Sequence, residues 1–233
     1  MTACTSSSTT GNEDLAAFAT SHGVGALVQR ATVDASPFAS HLCGALLVED
    51  QVAITAAHCV ANRPAGSLAI RFGSADLCDR DARGAEVVDV TRIVISEPAS
   101  ADVAILYLAS SLRFTPASRA ELSGQGSTLW ATGWGSVSEG GSFVCDLKTI
   151  PLVAGDPEDC ASGKSAQPDD AFDRTFFCAT GLDRLNTCAG DSGSPVFELR
   201  DGEWVAVGIT LSGEGCRPSD QGIYLRLASL RFD

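Results

Sequence analysis

The chain has 233 residues, within the length of a single all-β two-barrel unit and long enough to bury a substantial core. Its 16 basic and 29 acidic residues leave a net charge of −13 at pH 7, which argues against nucleic acid and anionic membrane surfaces as partners and reads as a soluble, self-repelling surface. No run of about 18 apolar residues is present, so no transmembrane helix is expected, and the basic and apolar regions of a complete signal peptide are missing too.

Residues 1–22 differ in texture from the rest. Thr5–Thr10 is a Ser/Thr tract with almost nothing to bury, which predicts a flexible segment serving as tether or propeptide. Asp14–Thr20 has the composition for one or two helical turns. The opening Met1-Thr-Ala-Cys4 resembles the end of a bacterial lipoprotein signal, in which the cysteine becomes the lipidated N-terminus. A chance run of these residues stays the alternative.

From residue 24 onward, short runs rich in Val, Ile and Leu alternate with Gly, Asp, Ser and Pro. The clearest are Ala45–Val48, Val52–Ile54, Leu68–Phe72, Val87–Ile95 and Val103–Leu108. After a break at Thr115–Gly126 come Thr128–Gly133, Leu147–Val153, Phe176–Ala179, Pro195–Leu199, Trp204–Leu211 and Ile223–Leu227. Many short strands at near-regular intervals predict a sandwich or barrel and no βαβ units. A helical period is suggested only near the C-terminus, at Leu227–Phe232.

The nine cysteines match no zinc-ligand spacing, and only His22, His41 and His58 could supply imidazole, so neither metal nor cofactor is expected. Disulfides in an oxidising compartment are the better reading. The odd count leaves Cys4 as the natural orphan, consistent with a lipid anchor there.

Three segments carry chemistry. Thr187-Cys-Ala-Gly-Asp-Ser-Gly-Ser-Pro195 surrounds Ser192 with glycines, which allow a tight turn and close approach of a substrate. A serine hydroxyl is a weak nucleophile and needs exposure, a base and donors for a developing oxyanion. The N–H groups of Gly190 and Ser192 could both point at one carbonyl oxygen. Taken alone, Gly-Asp-Ser-Gly also suits a surface turn. Ile54-Thr-Ala-Ala-His58-Cys59 ends an apolar run on a histidine, and a Cys43–Cys59 bridge would fix the imidazole in place. Asp102 opens the apolar run Val103–Leu108; alone it could be a strand-end charge, but beside a histidine base it would hold the tautomer and stabilise the imidazolium.

Together these segments resemble the chymotrypsin/trypsin family of serine proteases, whose triad runs in the order His, Asp, Ser. Further similarities are Cys43-Gly-Ala-Leu-Leu47, Gly133-Trp-Gly135, Val207-Gly-Ile209 and Gly222-Ile-Tyr224, so the likeness covers roughly residues 23–230. It implies two antiparallel six-stranded β-barrels with a short C-terminal helix. The first barrel would take residues 23–115 and the second 116–233, with the crossing at Thr115–Gly126. It also implies bridges Cys188–Cys216 and Cys160–Cys178, leaving Cys78 and Cys145 to each other.

The implied activity is that of a secreted, periplasmic or outer-membrane serine endopeptidase, monomeric, acting on polypeptides through an acyl-enzyme and open to protein inhibitors. His58, Asp102 and Ser192 would be its triad, and Gly190 and Ser192 its oxyanion hole. Asn186, Gly213 and Gly222 would form the specificity pocket. With Asn186 in place of an aspartate at the pocket base, a non-basic residue is expected at the cleavage site, although Glu214 could compensate weakly. Leu211 and Ser212 replace the family's Ser-Trp, so extended-substrate recognition should differ. Asp191 matches the buried acid that pairs with an amine freed by zymogen cleavage. Here His22-Gly-Val-Gly-Ala26 stands where a basic residue and Ile-Val-Gly-Gly are expected. Either another protease cuts near residues 22–24, or the switch is absent and some other cation or donor reaches Asp191. A catalytically silent binding module and a serine esterase stay as alternatives.

Overall fold

The computed structural model describes residues 10–96, 101–156 and 174–230, the first four as backbone only. Six strands, β1 (Val24–Gln29), β2 (His41–Glu49), β3 (Val52–Ala56), β4 (Leu68–Phe72), β5 (Glu86–Ile95) and β6 (Val103–Leu108), close into a barrel in the order β1-β2-β3-β6-β5-β4. A second set, β7 (Thr128–Gly133), β8 (Lys148–Ala154), β9 (Phe176–Gly181), β10 (Pro195–Arg200), β11 (Glu203–Gly213) and β12 (Gln221–Arg226), closes in the order β10-β11-β12-β9-β8-β7. All the pairings are antiparallel. Closure removes exposed sheet edges, and alternate residues of each strand fill the interior. Leu129, Ile150, Leu152, Val196 and Val207 do so in the second barrel, all fully buried.

The barrels meet on a shared apolar layer, in which Trp134, Phe197 and Leu225 join the core of the first barrel. A second seam runs through loops. Leu77 N–H donates to the Cys145 carbonyl (2.9 Å), Leu147 N–H to Ala75 (2.7 Å) and the Trp134 indole to Ala75 (3.0 Å). The Cys78–Cys145 disulfide closes the same seam. The crossing segment bonds to β11 at Ala206, which accepts from Ala120 and donates to Ser118.

Residues 10–21 form one helix, α1 (Thr10–Ser21), which takes in the one or two turns expected at Asp14–Thr20 and starts four residues earlier. Leu15, Phe18 and Ala19 share one helical face. Leu15 and Ala19 are fully buried, and Phe18 sets its ring edge-on to Phe197 at 5.7 Å. Helical spacing concentrates the few apolar residues, and the barrels supply the surface they need. Residues 1–9, including Cys4 and most of the Ser/Thr tract, lie outside the described residues. At the other end, the short helix is a single 3-10 turn, Leu227–Ser229, with only Leu227 buried.

Candidate active site

Strand β3 runs into a one-turn helix, α2 (Ala57–Val60), that carries His58. The Cys43–Cys59 disulfide ties this turn to β2, with Cα atoms 6.2 Å apart. Asp102, at the start of β6, holds the same turn from the other side. Its backbone carbonyl accepts from Ala57 N–H (2.9 Å), its Oδ1 accepts from His58 N–H (2.9 Å), and its Oδ2 lies 2.7 Å from His58 Nδ1. The hydrogen bond to Asp102 raises the pKa of His58 above the usual histidine value, outweighing the opposing effect of burial.

Ser192 sits on the loop between β9 and β10, which is fastened to both barrels. Its carbonyl accepts from Gly44 N–H of β2 (2.8 Å), and Gly193 N–H donates to Thr210 of β11 (2.7 Å). Gly193 has φ +79°, and a Cβ there would lie 2.2 Å from the Thr55 hydroxyl and 2.4 Å from the Gly44 carbonyl, so only glycine fits. The Ser192 hydroxyl donates to the Leu211 carbonyl at 3.2 Å. His58 and Ser192 face one cleft of about 530 Å³. Among the described residues, the N–H groups of Gly190 and Ser192 have no acceptor, leaving both amides available to a ligand.

Asp191 is wholly buried beside this serine. Its Oδ1 accepts from Gly135 N–H (2.8 Å), and its Oδ2 accepts from Cys188 N–H (2.9 Å) and from Lys148 Nζ (2.8 Å). Burial pushes its carboxyl upward, while Lys148 and the two amides pull it back. Lys148 also donates to the Ser136 carbonyl (2.9 Å). His41 is a second buried group at this loop. Its Nε2 lies 3.1 Å from the Gly190 carbonyl, and burial lowers its pKa to about 4.

Gly213 lines the cleft, while Asn186 and Gly222 stand behind its wall. The Asn186 amide donates to the carbonyls of Arg217 (2.8 Å) and Asp220 (2.7 Å), and its oxygen accepts from Thr187 N–H (2.8 Å). Through these three bonds it braces the loop behind the cleft. At Gly222, any added Cβ would fall 2.4 Å from the Tyr224 hydroxyl. Thr187, Thr210 and Leu211 line the cleft instead, with Glu139 and Glu214 exposed at it. The Cys188–Cys216 disulfide braces the wall. Cys178 is disulfide-bonded, and Cys160 lies outside the described residues.

The sequence model of the Trypsin family matches residues 19–231, nearly the whole described fold. This chain belongs to the trypsin family. As a member it is a serine endopeptidase. It is 31% identical over 208 residues to Trypsin-1 of Astacus astacus, covering 82% of this chain and 85% of that protein. It is 31% identical to Trypsin delta of Drosophila erecta, over 82% of this chain and 77% of that one. Identity to Ovochymase-2 of Mus musculus is 30% over 76% of this chain, which spans only 31% of that longer protein.

Lys148 and His41 were not singled out by sequence reasoning. No sequence signal marked Lys148; its place follows from the register, in which it opens β8 directly opposite Gly133 of Gly133-Trp-Gly135. A charged residue facing a side-chain-free position has room to reach inward. Val24, Gly25 and Ala26 lie in β1, paired with Leu46, Ala45 and Gly44.

Proposed function

We propose that His58, Asp102 and Ser192 form the catalytic triad of this trypsin-family endopeptidase. The observation that carries the assignment is the 2.7 Å contact of His58 Nδ1 with Asp102, beside a cleft shared with Ser192 and two unpartnered amides. His58 Nε2 takes the Ser192 proton as Oγ bonds to the scissile carbonyl carbon. The carbonyl oxygen becomes an oxyanion held by the N–H groups of Gly190 and Ser192. His58 then protonates the leaving amine as the C–N bond breaks, giving the acyl-enzyme, and water completes hydrolysis by the reverse proton path. One oxyanion donor is worth about 100–1,000-fold in rate.

The substrate is a polypeptide with an apolar, aromatic or uncharged polar residue at the cleavage site. Asn186 carries no charge and its amide is engaged elsewhere, and Leu211, Thr187 and Thr210 supply uncharged lining, while the carboxylates Glu139 and Glu214 stand exposed at the cleft. The three described disulfides fit an oxidising, extracytoplasmic compartment. In this reading the enzyme works as a monomer, with Cys4 available as a lipid anchor.

The test is labelling with a fluorophosphonate, the adduct mapped by mass spectrometry, alongside cleavage of a peptide library. An adduct on Ser192 that disappears in Ser192→Ala and falls sharply in His58→Ala is expected, with cleavage after uncharged residues. No adduct on the folded chain, before or after limited proteolysis, overturns the assignment in favour of a silent binding module.

A further inference from the structure

A wholly buried carboxylate beside the nucleophile has to be paired, because an isolated charge in the interior is prohibitively costly. Here the partner comes from within the chain. Lys148 Nζ lies 2.8 Å from Asp191 Oδ2, and its side chain is only 11% exposed. We propose that Lys148 is the internal cation that holds the Gly190–Gly193 loop in its working form, so that the enzyme needs no cut upstream of β1. The inference rests on the reading of Ser192 as nucleophile.

Three features build this pair into the fold. Lys148 stands opposite Gly133 in the β7–β8 register, and a Cβ on Gly133 would lie 2.2 Å from Asp191 Oδ1. The missing side chain is the space the carboxylate occupies. The approach to β8 is fixed by the Cys78–Cys145 disulfide and by Leu147 N–H on Ala75, so the lysine starts from a rigid position. Asp191 completes its shell with Cys188 N–H from its own loop and with Gly135 N–H, which ties that loop to the end of β7.

The N-terminal side offers no competing amine at residues 22–24. Val24 is paired with Leu46, and the Gly23 carbonyl accepts from Leu47 N–H at 2.8 Å. β1 is bonded along both edges, to β2 and to β4. A new terminus there would have to strip a strand from a closed barrel before it could move.

Lys148 acts through Asp191 and is therefore a positioning residue. Its loss should appear in kcat, since the oxyanion donors matter most in the transition state. The experiment begins with the intact wild-type chain, its mass confirmed before and after assay, with peptide hydrolysis and fluorophosphonate labelling as readouts. Activity and a Ser192 adduct on the intact chain are expected. Lys148→Met and Lys148→Gln should lower kcat about 100-fold or more, with KM changed by less than about threefold and near-UV circular dichroism retained. Lys148→Arg, which keeps the charge, should retain more of kcat than either neutral variant. An intact wild type that is silent, and becomes active only after cleavage near residues 22–24, overturns the proposal and leaves the protease assignment standing. So does a folded neutral variant with wild-type kcat. Should both neutral variants fail to fold, the intact-chain assay still decides whether a cut is required. A chain that labels neither intact nor cut removes the triad assignment, and this proposal with it.

Discussion

Asp102 grips the turn that carries His58 through three hydrogen bonds, two to backbone N–H groups of Ala57 and His58 and one to Nδ1. Asp102 itself has φ +51°, a left-handed conformation that costs most residues about 1–2 kcal/mol and that Asp and Asn tolerate best. The carboxylate therefore fixes both the ring and the backbone below it. Asp102→Asn keeps the turn and the His58 N–H acceptor but loses the charge and disturbs the tautomer. In trypsin-type triads this replacement lowers kcat by about 10⁴, and a similar loss is expected here with little change in melting temperature. The proton sign is also fixed. His58 must be neutral to act as base, and Asp102 raises its pKa above 6.5, so wild-type activity should fall as pH drops through that raised value. In Asp102→Asn the acidic limb should move to lower pH. A pH–rate profile of both enzymes checks this.

Asn186 gives a prediction that runs against sequence intuition. Placing an aspartate at this position would seem to create a site for Arg or Lys. The structure uses the Asn186 amide to hold the Arg217 and Asp220 carbonyls, both within 2.8 Å. An aspartate would set negative charge against two carbonyl oxygens and remove the amide donor from both, leaving the Arg217 carbonyl with its bond from Asp220 N–H. Asn186→Asp should therefore lose about 1–3 kcal/mol of stability and cut kcat/KM on all substrates, without a gain on Arg or Lys peptides. Chemical denaturation and a peptide-library profile decide. A shift to basic residues at wild-type stability would show that the amide bonds matter little.

Legibility in the sequence followed the physics of each segment. Leu68–Phe72, Val103–Leu108 and Thr128–Gly133 were bounded correctly because compact apolar runs stop at Gly73, begin after Asp102 and stop at Gly133. Strand β1 was hidden by its own composition. Gly25 and Ala26 have weak strand preference, and Val24-Gly-Ala26 reads by its likeness to an activation motif and not as a strand. It is a strand because β2 and β4 bond it on both sides, which is a long-range fact. Helix α1 was legible only as one or two turns at Asp14–Thr20, because Leu15, Phe18 and Ala19 are too few to predict its full length until the barrels cover them. At the site, the need for a partner to Asp191 could be read from the sequence, but its identity could not. That required knowing that β7 and β8 pair with Lys148 opposite Gly133.

His41 links acid to the oxyanion loop. Its Nε2 donates to the Gly190 carbonyl, and its Nδ1 is buried with no partner, edge-on to Trp134 and Phe143. Protonating Nδ1 would place a charge in an apolar site near Lys148, so burial first and then Lys148 lower its pKa to about 4, against the opposing effect of the Gly190 bond. The unfolded chain, with histidine near 6.5, binds this proton first as pH falls. His41 thus contributes stability above pH 6.5 that is lost between about pH 6.5 and 4, up to about 3 kcal/mol. His41→Gln keeps a donor for Gly190 and cannot titrate. Urea midpoints from pH 7 to 4 should fall more steeply in wild type than in the variant. Equal slopes would mean that the imidazole reaches water when protonated.

Helix α1 tests whether the segment before β1 belongs to the folded enzyme or is disposable. Leu15 and Ala19 are fully buried, Phe18 stacks on His22 at 3.8 Å and meets Phe197 edge-on, and the Ser21 carbonyl accepts from Thr115 N–H at 3.3 Å. Phe197 lies on β10, a few residues after Ser192, so the helix covers the strand that supports the nucleophile loop. Leu15→Ala removes a buried side chain and leaves a cavity, at a cost of about 2–5 kcal/mol. The expected result is that loss in equilibrium denaturation, with kcat preserved at temperatures where the variant stays folded. Removing residues 1–21 should cost more, since it also uncovers Phe197. If instead the truncated chain melts like the full one, the helix is docked without contributing, and the barrels carry the stability alone.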